Sequence, residues 1–311
     1  MLPAIPDHEL IRRIGSGGSG QVWLAKNALG AYRAVKIVFE KNFERSRPFN
    51  GEFNGVMKFE PISRQHDGLV DILHVGGGTK AGYFYCIMEL ADDARTGQNI
   101  NPEQYQPRTL AQDLSERQRL PIGECIRLGA TIASALGYLH RHGLIHRDVS
   151  PANIIFVNGF PKLADTGLVA EMFESASYVG TDGFIAPEGP GTARADIYSL
   201  GKVLYEISTG KSRNDYPELP AHLQDNAEDR DLVQFNKMVL KACRLNPRLR
   251  YKSADELLSA LLTFQFSHYN PRKEKIISTS ARVIGIVGLL VAIAVVIFMI
   301  LRIIWLLRHS S

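Results

Sequence analysis

The sequence predicts an α+β protein with a small β-rich front lobe, a larger α-helical back lobe and one C-terminal transmembrane helix. Three observations carry this reading. Short runs rich in β-branched and aromatic residues are confined to about residues 8–90. Between Ile126 and Phe264, apolar residues recur at helical spacing in several segments. Near the C-terminus, 19 consecutive residues, Val283 to Leu301, carry no charge.

The elements follow in order. Leu10–Ile14 and Val22–Lys26 read as strands around a glycine cluster, and Tyr32–Val38 as a third strand after a turn at Asn27–Gly30. Glu52–Phe59 reads as a helix, with Val56 and Phe59 completing an apolar stripe and Pro61 soon after its end. Tyr83–Leu90 is a β-rich run behind a hairpin turn at Lys80-Ala81-Gly82. Asp92 to Arg108 is polar, holds two prolines and reads as a linker or insertion before the helical lobe. Ile126, Ala130, Ala133, Leu136 and Leu139 mark a helix that Gly143 can cap. Further helices fit Asp196–Ser208, ending at Gly210, then Leu232–Cys243 and Ala254–Phe264. No internal repeat is visible.

Composition narrows the classes. Hydrophobic residues make up 45% and charged residues 22% of the 311, which fits a globular body. The formal charge of +4 resides in the tail: residues 271–311 hold six basic residues against Glu274, net +5, which leaves the body at −1. No nucleic-acid partner is expected. Cys86, Cys125 and Cys243 lie far apart and read as three reduced thiols. The span 283–301 covers about 28 Å at helical rise, close to the hydrocarbon thickness of a bilayer. Four basic residues precede it and two, Arg302 and Arg308, follow, which places the large domain on the cytoplasmic side of the membrane in a single-pass arrangement. Arg302 can snorkel and Trp305 can sit at headgroup depth. Residues 302–311 form a short tail, and no external sensor domain is expected. Ala281, Gly285, Gly288 and Ala292 put small residues on one face of the span, where a homodimer is an open alternative to unpaired helices.

Chemistry-bearing residues come next. His146-Arg147-Asp148 is followed by Asn153 and, further on, by Asp165-Thr166-Gly167. Asp148 can accept a proton from an attacking hydroxyl, while Asn153 and Asp165 can hold a metal beside a triphosphate. Gly15, Gly17 and Gly20 form GxGxxG, a pattern that dinucleotide folds also use. Here Val22-Trp23-Leu24-Ala25 continues as strand where a dinucleotide site needs a helix. Lys36 sits on an otherwise apolar strand, placed to pair with phosphates, and needs a carboxylate to fix it. Glu52 is the first candidate and Glu60 the second.

These motifs in this order resemble the eukaryotic-like (Hanks-type) serine/threonine protein kinases, over about His8 to Phe266. The resemblance implies a bilobal kinase domain at 8–266, with an N-lobe at about 8–90 and a C-lobe at about 92–266. A juxtamembrane linker at 267–282, the transmembrane helix at 283–301 and the tail at 302–311 complete the chain. It implies ATP and Mg²⁺ as ligands, with Ile14, Gly15, Gly17, Gly20, Val22 and Ala34 over the nucleotide, and Lys36 paired with Glu52. Met88 is then the gatekeeper before a hinge at Glu89–Ala91. Asp148 becomes the catalytic base, Asn153 and Asp165 the metal ligands, and Ala186-Pro187-Glu188 the end of the activation segment. Asp196 resembles the buried helix aspartate that braces the catalytic loop, and Glu188 is expected to pair with Arg250. Gly180-Thr181 and Pro151 resemble the serine/threonine branch, with Thr181 contacting Asp148.

Two positions depart from the family pattern. Ser150 stands where a lysine is usual; its hydroxyl can donate a hydrogen bond at the transferring phosphoryl group but brings no charge. Thr166 replaces the usual phenylalanine of the metal-binding motif. The resulting expectation is a membrane-anchored kinase that phosphorylates Ser and Thr of protein substrates, including itself, with the lipid bilayer as second partner. The alternative is a pseudokinase or very weak kinase that serves as a nucleotide-binding membrane scaffold. A small-molecule phosphotransferase is disfavoured by the complete activation segment. Ser175, Ser177 and Tyr178 are candidate phosphate acceptors for regulation through Arg147.

Overall fold

A five-stranded antiparallel sheet, ordered β1-β2-β3-β5-β4, forms the front lobe of the computed structural model. The structure describes residues 2–17, 20–43, 49–165, 170–171, 180–221 and 227–268. The strands are β1 (His8–Ser16), β2 (Gly20–Asn27), β3 (Tyr32–Phe39), β4 (Ile72–Gly78) and β5 (Tyr83–Met88). Helix α1 (Phe49–Ser63) lies between β3 and β4 in sequence. In β3 the pleat sends Val35 and Ile37 into a cluster with Ile5, Ala25, Tyr85 and Ile87. Ala34 and Lys36 therefore share the opposite face, because side chains alternate along a strand. Lys36 pairs in register with Val22 on one side and Cys86 on the other. It is thus central in the sheet, where a lone lysine has no solvent to escape to.

The back lobe is helical. It contains α2 (Leu110–Arg117), α3 (Ile122–Arg141), α4 (Ala193–Thr209), α5 (Ala227–Ala242) and α6 (Ala254–His268). Helix α4 is buried on nearly all sides, starts at Thr192, whose side chain accepts from the Ala195 N–H, and stops at left-handed Gly210. Short strands β6 (Leu144–Ile145) and β9 (Ala170–Glu171) pair with each other. Strands β7 (Ile154–Val157) and β8 (Phe160–Leu163) form a hairpin. Its turn residues Asn158 and Gly159 have φ of 53° and 77°, as a two-residue hairpin with the native twist requires. The described residues up to Phe264 make one compact unit, and a second begins at Gln265, of which the end of α6 is described.

Several expectations need correction. Helix α1 passes through Pro61 and does not end before it. A proline in the last turn forfeits one backbone bond, and its fixed φ is already helical, so the turn survives. Strand β4 and helix α2 were not predicted. Residues 92–108 are no loose linker. The Asp93 carboxylate accepts from the backbone of Arg95, Thr96 and Gln106, and Tyr105 is 1% exposed. The three cysteines are buried, unpaired thiols. Burial pushes the thiols of Cys86 and Cys243 up to about 12, the form that neither binds metal nor attacks disulfides. Among the described residues no helix is long and apolar enough to cross a membrane. The span read at 283–301, with its tail, its small-residue face and the linker beyond His268, lies outside the described residues, as do Thr166, Ser175, Ser177 and Tyr178, whereas Ser267 and His268, read as linker, continue helix α6.

Candidate active site

A cavity of about 470 Å³ opens between the sheet of the front lobe and the loops of the back lobe. One end is apolar, lined by Ile14, Val22, Ala34, Val70, Met88 and Ile155. The other is polar and holds Lys36, Asp148, Asn153, Asp165 and Thr181. Such a division suits a ligand with a flat apolar part and a charged part.

Lys36 anchors the polar end from above. Its Nζ lies 2.6 Å from Asp165 and 3.5 Å from Glu52. Glu52 is wholly enclosed at its side chain, whereas Asp165 is 42% exposed toward the cleft. The lysine is therefore gripped from inside by one carboxylate and shares the open side with the other. Burial alone would lower its pKa, but Asp165 and then Glu52 outweigh this and raise it above the ordinary lysine value. It stays charged. Glu60, the second candidate partner, instead bonds Arg64 one turn away.

The loop after β6 builds the floor. Asp196 near the start of α4 accepts the backbone N–H of His146 through Oδ2 and of Arg147 through Oδ1, both at 2.9 Å. The same carboxylate meets His140 Nε2 at 2.9 Å. These bonds hold Arg147 at φ 71°, a conformation that costs a non-glycine residue energy unless its surroundings impose it. His146 Nε2 lies 2.9 Å from the Ala164 carbonyl, which can only accept, so that nitrogen carries the proton. Asp148 is then held at both oxygens. Oδ1 accepts from the Thr181 hydroxyl at 2.7 Å and the Thr181 N–H at 2.8 Å, and Oδ2 from Asn153 Nδ2 at 2.7 Å. Asn153 Nδ2 also donates to the Asp148 carbonyl, which fixes the amide with Oδ1 as its remaining acceptor. The Ala164 N–H bonds the Asn153 carbonyl at 2.8 Å and brings Asp165 beside it. Ser150 is fully buried, its hydroxyl 3.4 Å from that of Thr181.

The glycines play unequal parts. A Cβ on Gly20 would lie 2.5 Å from the Ile37 carbonyl, so the sheet itself demands glycine there. Gly15 would meet only ordinary contact with Val22, and Gly17 nothing within 4 Å. The protein's own packing does not require those two glycines. They leave backbone open to a ligand's close approach. At the apolar end, Met88, Glu89 and Ala91 line the cavity. The Glu89 carboxylate turns elsewhere, to Lys162 at 2.5 Å and to the Asp71 N–H at 2.8 Å. Burial raises its pKa while Lys162 opposes the shift. Glu89 therefore offers the cavity backbone and not charge.

Glu188 and Arg250 form a two-armed ion pair at 2.6 and 2.8 Å, with the arginine side chain fully enclosed. The segment ahead of Glu188 is pinned by two residues the sequence reading did not select. Ser199 donates to the Phe184 carbonyl, and Arg213 donates to the Asp182 carbonyl while stacking on the Phe184 ring. Tyr105, Pro107, Thr109 and Ala152 also line the cavity unpredicted. Ala152 sits beside Asn153, whereas Tyr105 and Pro107 lay in the stretch read as a linker or insertion and Thr109 just beyond it, with no motif to mark them.

Fold and site together give two lobes with a cleft between them, in which a lysine and several carboxylates gather at one end. The protein kinase domain profile matches residues 8–268, and the chain belongs to that family. It is 31% identical over 278 residues to a probable serine/threonine-protein kinase of Clostridium perfringens, covering 82% of this chain and 38% of that one. It is 29% identical over 299 residues to the serine/threonine-protein kinase PknB of Mycobacterium leprae, covering 88% and 45%. A DNA damage-responsive serine/threonine-protein kinase of Deinococcus radiodurans is 31% identical over 217 residues, covering 65% and 30%. The chain thus spans less than half the length of each of these relatives.

Proposed function

We propose that the chain is a serine/threonine protein kinase that moves the γ-phosphoryl group of ATP to protein hydroxyls, its own among them. The carrying observation is Asp148, held at both oxygens at the polar end of the cavity, opposite the Lys36–Glu52 pair. In this reading the apolar end takes the base and Lys36 faces the phosphates. Asp148 receives the proton of the attacking hydroxyl as that oxygen bonds to the γ-phosphorus. Thr181 and Asn153 keep the carboxylate aimed.

The donor set at Asn153 and Asp165, an amide oxygen and a carboxylate, suits a hard cation such as Mg²⁺. Those two residues would hold it, and when bound it neutralises charge on the phosphate oxygens. Membrane anchoring through 283–301, with the kinase domain cytoplasmic, belongs to the same proposal and rests on that span's length and uncharged sequence.

A second reading has its own observation. Among the described residues lining the cavity, Lys36 is the one cation, and Ser150 adds none. This supports a nucleotide-binding scaffold with little transfer activity. Incubation of the full chain with labelled ATP and Mg²⁺ separates the two. Label on Ser and Thr that disappears in Asp148→Asn and in Lys36→Met supports the kinase; undiminished labelling in Asp148→Asn overturns the mechanism. ATP binding without transfer supports the scaffold. Membrane fractionation of the full chain, compared with one ending at Pro271, tests the anchor, and a truncated form that stays membrane-bound refutes it.

A further inference from the structure

Residues 92–108 leave the cavity wall at Ala91, fold back on themselves and return at Thr109, where α2 begins. Both ends are fixed to the back lobe. The Asp92 N–H donates to the Phe156 carbonyl, the Phe156 N–H to that of Arg108, and the Arg108 N–H to that of Asp92. The Asp92 carboxylate accepts from the N–H groups of Asn158 and Gly159. The interior closes on Asp93. The far side reaches the front lobe: Arg12 on β1 donates from Nε to the Pro102 carbonyl at 2.6 Å and from Nη2 to that of Tyr105. Tyr105 is buried, donates its hydroxyl to the Ala91 carbonyl at 3.0 Å, and lines the apolar end of the cavity with Pro107.

We propose that this segment is a strap that completes the nucleotide pocket. Tyr105 and Pro107 wall the base end, and Arg12 ties the strap to the strand that runs into Gly15 and Gly17. ATP affinity then depends on the strap being held by both lobes at once. A connection that only joined the lobes would need neither a buried tyrosine on the cavity nor an arginine from β1 on its carbonyls. The inference rests on the nucleotide-binding reading of the cleft. Arg12 acts through Tyr105 and is a positioning residue; Tyr105 itself meets the base.

The test compares ATP with inorganic tripolyphosphate, which has the charge but no base, by titration calorimetry on the full chain. Arg12→Ala is expected to weaken ATP about tenfold, the loss expected from one charge-assisted tie, and tripolyphosphate less than about twofold. Tyr105→Phe, which removes only the hydroxyl, is expected to weaken ATP by roughly threefold. Hydrogen exchange of amides 94–106 without nucleotide is expected to quicken in Arg12→Ala. ATP affinity unchanged while that exchange quickens would overturn the proposal. Equal weakening of ATP and tripolyphosphate would also overturn it, since the strap would then serve general integrity and not the base. Wild-type protein that binds tripolyphosphate but gains nothing from the base of ATP sinks the strap and leaves phosphate binding standing. Wild-type protein that binds neither sinks the kinase reading and the strap with it.

Discussion

Replacing Thr181 with valine keeps the shape of the side chain and deletes one hydroxyl. That hydroxyl donates to Asp148 Oδ1 at 2.7 Å, beside the Thr181 N–H at 2.8 Å, while Asn153 holds Oδ2. One of the three bonds that aim the carboxylate is lost and two remain. A hydrogen bond to a charged group contributes about 1.5–3 kcal/mol, and the surviving anchors favour the lower figure. At about 1.5 kcal/mol, turnover falls roughly tenfold. The apolar end and Lys36 are untouched, so the KM for ATP should move less than about twofold. Thr181→Ser retains the donor and should keep most of the rate. The assay is steady-state phosphorylation of a generic protein substrate across a range of ATP concentrations, with melting curves to verify folding. Wild-type turnover in Thr181→Val would mean that Asp148 needs no such aiming. A loss as deep as that of Asp148→Asn would mean the hydroxyl takes part in the chemistry itself.

Three further outcomes follow from the geometry. Glu188→Ala takes the carboxylate from the enclosed Arg250 guanidinium, which keeps the carbonyls of Arg194, Arg244 and Leu245, and should cost about 3 kcal/mol of stability, toward the low end for a broken buried pair because those carbonyls remain and Glu188 is itself 26% exposed; an unshifted melting temperature would refute this. Burial works against ionised Asp93, but bonds from Gln106, Thr96 and Arg95 outweigh it and hold its pKa down to about 2. A lowered carboxylate pKa contributes stability above its unfolded value of 3.8 and loses it as pH falls toward 2, so Asp93→Asn should melt earlier at neutral pH with the gap closing below about pH 3. A constant gap across that range would contradict the assignment. Ser150→Lys should raise the single-turnover rate about tenfold by placing a cation near the transferring group, provided the lysine can leave the fully buried site for the cleft; no gain, or a loss, would mean Ser150 has its own role in the loop.

Much of this architecture was legible in the sequence because the signals were local. Strands β1 to β3, and the helices now seen as α3 and α4, declare themselves by period and by a terminal glycine. Glu52 was a candidate for Lys36 because a lysine on an apolar strand needs a carboxylate, and the family resemblance supported it; the Glu188–Arg250 contact followed from the resemblance alone, since no local pattern joins residues that far apart. Strand β4 was missed because Gly76-Gly77-Gly78 removes the side chains a strand pattern needs. The β7–β8 hairpin carried a readable Asn158-Gly159 signal that went unused. Residues 92–108 misled for a physical reason. Their order comes from carboxylates that accept backbone N–H groups and from Arg12, some ninety residues away, and neither leaves an apolar period.

Asp196 binds the catalytic loop to α4, a helix enclosed by the core. The loop can therefore open only when that core opens, at a cost near that of unfolding the lobe. Among the described hydrogen bonds, the strap meets β1 through the half-buried Arg12, a tie that can open without opening that core. Warming should thus dismantle the protein in sequence. Grip on the nucleotide fades first, while the carboxylate geometry persists to the melting point. A thermally stressed population would then recover at once on cooling, with no refolding step, as long as heating stops between the two events.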